Sequence, residues 1–152
     1  MGLCGCSNHK ASDIEPITKG FNCDFSIVSS DLSGELSINS EGDLSIVFSG
    51  PDIINNVGIR VKEESIIIEV HGISERYTRA QAPQDAPALY IYDALASINK
   101  LTPVVKNDEI YISGKCKSGN FKAILNGTGY ITKLMFDQID TVFVFENHIL
   151  NK

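Results

Sequence analysis

The sequence predicts one small, mainly β (α+β) domain of about ten antiparallel strands with a single helix. Three observations predict it. Segments of five to ten residues rich in Val, Ile, Phe, Tyr and Ser recur along the chain. Short Gly, Asn, Asp and Ser clusters separate them, as turns separate the strands of a meander. One stretch, 88–99, departs from the two-residue period and takes a helical one. The 152 residues, 43% hydrophobic, suffice for one core and are too few for two ordinary domains.

The strand alternation is clearest in Leu32-Ser33-Gly34-Glu35-Leu36-Ser37-Ile38-Asn39. Leu32, Leu36 and Ile38 fall on one face there, and Ser33, Glu35, Ser37 and Asn39 on the other. Phe21-Cys23-Phe25-Ile27, Ile66-Ile68-Val70, Ile110-Ile112 and Val142-Val144 repeat the pattern, so one face of the sheet is buried and one is wet. Turns are expected at Ser40-Glu41-Gly42-Asp43, Lys62-Glu63-Glu64-Ser65, Ser118-Gly119 and Asn126-Gly127, giving roughly nine to eleven strands paired in sequence order. After the linker-like run 81–87, Asp85 caps the helix and Pro87 occupies its first turn. Leu89, Tyr92, Ala96 and Asn99 form one stripe, and Ile91, Leu95 and Ile98 an adjacent one. Thr102-Pro103 ends the helix. With Asp93 as its only charge before Lys100, the helix must lie against the apolar face of the sheet.

Composition excludes several classes. The net charge of −6, with 13 Lys and Arg scattered singly, offers no basic stripe for nucleic acid. No apolar run approaches the roughly 20 residues that span a bilayer. No nucleophile elbow, phosphate loop or paired-carboxylate motif occurs, so neither an enzyme nor a cofactor is expected. His9, His71 and His148 are not spaced with other ligands as a metal site would be, and read as surface or strand-end residues. Glu63-Glu64 reads as a solvated turn pair. Asn126-Gly127-Thr128 matches a glycosylation sequon, but the turn explains it. Cys23 and Cys116 read as strand thiols, free by preference, with a bridge as the alternative in an oxidising compartment.

At the N-terminus, Leu3-Cys4-Gly5-Cys6 resembles the bacterial lipobox, with Cys6 the lipidated residue and Ser7 the residue after it. Residues 1–17 then read as a flexible tether and 18–148 as the domain. On this reading a charged and apolar leader precedes Met1. The alternatives are N-myristoylation at Gly2, a Cys4/Cys6/His9 metal clip, and an ordinary tail.

Phe21-Asn22-Cys23-Asp24-Phe25-Ser26-Ile27, Ile46-Val47-Phe48-Ser49-Gly50-Pro51, Ile112-Ser113-Gly114, Gly119-Asn120-Phe121 and Val142-Phe143-Val144-Phe145-Glu146-Asn147 together give a pattern that covers 21–147. It resembles the small lipoproteins of Gram-positive bacteria that share the half-barrel of the outer-membrane lipoprotein carriers, the LolA- and LppX-like proteins. The resemblance implies a curved, incompletely closed antiparallel half-barrel with the helix packed on its concave face, around a cavity for acyl chains or other apolar ligands. Shuttling of lipoproteins is not carried over, because the positions serving it are not found in this sequence. Leu89, Ile91, Tyr92, Leu95 and Ile98, with Tyr90, are the helix residues that such a cavity would use, and they serve equally as core. The expectation is a lipid-anchored binding protein on the outer face of a bacterial cell membrane, whose partners are that membrane and a hydrophobic small molecule or lipid. The alternative is a surface structural or protein-interaction module whose core is filled by its own side chains.

Overall fold

The computed structural model describes residues 13–28, 30–83 and 86–151. Six strands come first: β1 Phe21–Ile27, β2 Ser33–Ile38, β3 Leu44–Gly50, β4 Gly58–Lys62, β5 Ser65–Val70 and β6 Ile73–Thr78. The helix α1, Pro87–Ile98, follows. Then come β7 Val104–Lys106, β8 Glu109–Cys116, β9 Gly119–Leu125, β10 Ile131–Phe136 and β11 Val142–Leu150. All eleven strands form one sheet in the order β6-β5-β4-β3-β2-β1-β11-β10-β9-β8-β7, every neighbouring pair antiparallel. It is the predicted mainly β architecture, an open half-barrel. Sequence-order pairing holds within β1–β6 and within β7–β11, but the first and last strands pair at the centre of the sheet.

This order explains the helix. The chain leaves β6 at one edge and must enter β7 at the other, so the connection has to cross the sheet. Its apolar sequence keeps it on the apolar side, where α1 packs on β3, β4 and β8. From β4 to β8 is seven inter-strand steps, about 34 Å at roughly 4.8 Å each if the sheet were flat. A helix about 10 Å wide touches both only because the sheet curves around it. Register shifts at Asn22/Asp24, Ser33/Gly34 and Ile131/Lys133 supply bends, since each bulge sharpens local twist.

The core is continuous. On β1 the alternation is complete, with Phe21, Cys23, Phe25 and Ile27 buried and the residues between them exposed. Ile91, Ala94 and Ile98 of the helix are 0% exposed. The Tyr90 ring meets Phe136 edge to face at 4.7 Å. Cys23 and Cys116 are both free thiols, and burial pushes Cys23 up to about 12.

Several details differ from the sequence reading. The helix opens on Ala86 with Pro87 at its first position, and Asp85 lies outside the described residues. The short edge strand β7 was not foreseen, although Asn107-Asp108 marks its turn. Both residues have positive φ, 52° and 62°, as a two-residue hairpin turn of mirror-image type requires. Asn126-Gly127 does not use positive φ. Instead the Asn126 side-chain oxygen accepts from the Thr128 and Tyr130 amides, and the left-handed residue is Gly129, φ 102°. His148 lies within β11, two residues before its end.

The residues just before the domain boundary read at 18 are also placed. Ile17 donates its amide to the Gly129 carbonyl at 2.9 Å, and the buried Thr18 donates its hydroxyl to Asn99 at 2.7 Å. A Cβ on Gly129 would stand 2.2 Å from the Glu15 carbonyl oxygen. Gly129→Ala therefore combines a disfavoured φ with a backbone clash, and an expected loss of about 1–2 kcal/mol or more in urea denaturation checks this docking.

Candidate functional site

The helix and the β4–β6 wing do not seal against each other. Between them lies an apolar cleft of about 570 Å³, whose walls include Ile59, Ile66, Ile68 and Tyr77 from the wing. The far side is Ala82 and Pro83 from the β6–α1 connection and Ala86 to Leu89 at the start of α1. The lining follows from register. Ile59 stands opposite Ile68 and Ile66 opposite Tyr77, so two cross-strand pairs lay one apolar surface on the concave face. The surface continues outward along the same face: Val70 and Ile73, paired at the hairpin end, are 40% and 72% exposed.

Of the helix residues predicted for a cavity, Leu89 lines this cleft. Ile91 and Ile98 are fully buried in the core, and Leu95 is nearly so. Tyr92 turns to the β4–β5 turn, where its hydroxyl accepts the Glu63 amide at 3.0 Å. Most of the lining comes from the wing and the connection. Ile66 and Ile68 are legible as a buried strand face, and Ile66 is buried, but nothing in the pattern marks Ile68 as only half-covered. Cys6 and the competing readings at Gly2, Cys4 and His9 lie outside the described residues.

One wall of the cleft is latched. Arg79 lies in the short 3-10 turn Arg79–Gln81, directly before Ala82. Its guanidinium reaches Asp93 in the middle of α1, with Nη1 donating to Oδ1 at 2.8 Å and Nη2 donating to Oδ2. Asp93 is 4% exposed and also accepts the Ser118 hydroxyl at 2.6 Å, from the β8–β9 turn. That turn reaches back further, since Lys117 pairs with Glu64 of the β4–β5 turn at 2.7 Å. Glu64 is therefore an ion-pair partner rather than half of a purely solvated pair. The hydrogen bond and charge of Lys117 lower its carboxyl below the ordinary value. Strand twist of about 20–25° per step, over seven steps, turns β8 roughly 150° relative to β4. This brings opposite strand ends together.

Elsewhere the sites are weaker. The convex face has a polar cleft of about 540 Å³, where Glu35, Asp24 and Glu146 face outward in register on β2, β1 and β11. Among the described residues no three His, Cys, Asp or Glu gather as metal ligands. His148 stacks on Tyr130 at 4.6 Å, and its Nε2 meets the Ile131 carbonyl at 2.8 Å. Burial holds its imidazole below the ordinary value of 6.5, partly countered by that hydrogen bond. As pH falls the unfolded chain protonates first, so this contribution to stability is present above about pH 6.5 and is lost as pH falls toward the folded value. Urea midpoints measured between about pH 8 and 5.5 are expected to fall less in His148→Phe than in the wild type.

The fold defines a class: an antiparallel half-barrel closed on its concave side by a helix, with a cleft beside the helix. It is the LolA-like fold. Nine chains of solved structures match. Among them is a LolA superfamily protein from Nitrosomonas europaea, at TM-score 0.52 and 12% identity, the match covering 93% of this chain and 90% of that one. No protein-family model and no curated protein matches the sequence.

Proposed function

We propose that the protein binds an apolar, lipid-like molecule in the cleft between β4–β6 and the start of α1. The observation that carries this reading is an aliphatic surface on which Ile59 and Ile68 are left partly uncovered, with the buried Ile66 and Leu89 behind them. Such surface is unfavourable in water, and an alkyl chain laid on it recovers about 0.8 kcal/mol per methylene buried. Roughly ten covered methylenes supply about 8 kcal/mol before the ordering cost, so a Kd of about 1 µM is the tight limit and a weaker one is expected. The cleft has the size of an ordinary ligand site, and the LolA-like fold supports the same reading.

The interaction-module alternative has less support. The open edges are blunted, β7 by its length of three residues and β6 by Glu75 and Arg76. We further propose no catalytic role, and attachment to the outer face of a bacterial membrane through a diacylglyceryl group on Cys6, as the lipobox-like Leu3-Cys4-Gly5-Cys6 suggests. The mass of the N-terminal peptide from protein made in its source organism checks that attachment. An unmodified Cys6 thiol contradicts it.

The cleft is tested by titration with the neutral fluorophore N-phenyl-1-naphthylamine. Saturable binding is expected in the wild type. Ala82→Phe, which fills the cleft from an already half-buried position, is expected to weaken it by about tenfold or more. Equal binding by both proteins removes the cleft as the site.

A further inference from the structure

The concave face of the β4–β6 wing carries one charge among its described residues. Alternation places Ile59, Val61, Ile66, Ile68, Val70, Ile73 and Tyr77 on that face. It places Arg60, Lys62 and Arg76 on the other. Glu75 lies between Ile73 and Tyr77, directly opposite Ile68, so it stands at the outer margin of the cleft, between the lining residue Tyr77 and the apolar strip beyond. The Tyr77 hydroxyl donates to its carboxylate, which fixes the acid on this face. The nearest cation in sequence on the connection, Arg79, is engaged by Asp93. No Lys, Arg or His lines the cleft among the described residues.

We propose that the cleft selects apolar chains with a cationic or neutral head group and rejects anionic ones, with Glu75 as the discriminating residue. This rests on the cleft being the ligand site. An alkyl chain along Ile66 and Ile68 brings its head to the level of Glu75. An ammonium gains the attraction of the carboxylate there. A hydroxyl head meets no penalty. A carboxylate or phosphate head meets a like charge with no compensating cation.

The test compares three dodecyl compounds below their micelle concentrations as displacers of N-phenyl-1-naphthylamine: dodecylamine, dodecanol and laurate. The expected order is amine, then alcohol, then laurate, with amine and laurate separated by roughly tenfold. Glu75→Gln is expected to bring that ratio close to one. Glu41→Gln, which removes an equal charge from an exposed turn, is expected to leave it unchanged. Glu75 is itself exposed, so its replacement leaves the fold intact. Equal affinities in the wild type, or a ratio that collapses equally in both variants, overturn the head-group selection while leaving the cleft in place. Failure of the fluorophore and all three compounds to bind overturns the cleft reading, and the selection with it.

Discussion

Replacing Arg79 by alanine is expected to lower the stability of the domain by about 3–5 kcal/mol, because it leaves a buried carboxylate without its cation. Asp93 is 4% exposed and sits in a helix that otherwise buries apolar side chains. Among the described residues, the Ser118 hydroxyl alone would remain to compensate it. The pair is a latch rather than a source of net stability, since a buried pair replaced whole by apolar side chains of similar size is often neutral or better. The double variant Arg79→Met/Asp93→Leu is accordingly expected to recover most of the loss in urea denaturation. A single variant as stable as the wild type would show that Arg79 and Asp93 do not depend on each other. The exposed pair Lys117–Glu64 joins the same turns, yet its removal is expected to leave stability almost unchanged, because solvent screens it.

Ile91→Ala is expected to cost about 2–5 kcal/mol, the range for deleting a large aliphatic side chain from a packed site. Ile91 is 0% exposed and belongs to the layer where the helix meets the sheet. The sequence offered it both as core and as cavity lining, and the two roles give opposite results. A core residue destabilises the fold when truncated. A lining residue loses little stability and changes ligand affinity. Thermal or urea unfolding of Ile91→Ala, with its ligand affinity, decides between them; Leu89, 3% exposed, is core as well as cleft wall, so Leu89→Ala is expected to lower both stability and affinity.

What was legible in the sequence follows a physical division. Two-residue alternation reported the strand faces faithfully, as on β1, because each buried residue there meets a continuous core. The helix was legible because it is apolar on two stripes and begins at Pro87. The pairing of β1 with β11 was not, because alternation says which face of a strand is buried and nothing about its neighbour across more than a hundred residues. Asp93 appeared as a lone charge. Its partner lies 14 residues earlier, in a turn with no periodic signal, and its second contact comes from Ser118. Which helix residues border the cleft is not legible for a related reason. Ile91, Leu95 and Ile98 share the apolar stripe with nothing to distinguish full cover from partial cover. The wing residues Ile59 and Ile68 border a cleft because the connection through Ala82 and Pro83 stops short of covering them.

The most direct test of the cleft is a methyl NMR titration of isotope-labelled isoleucine and leucine side chains with dodecanol. The expected result is a saturable shift of the Ile59, Ile66, Ile68 and Leu89 methyls, with Ile38, Ile98 and Ile112 in the core unmoved. Shifts confined to residues outside the cleft, such as Val47 and Val144 on the convex face when valine is also labelled, or no saturable shift at all, would contradict it.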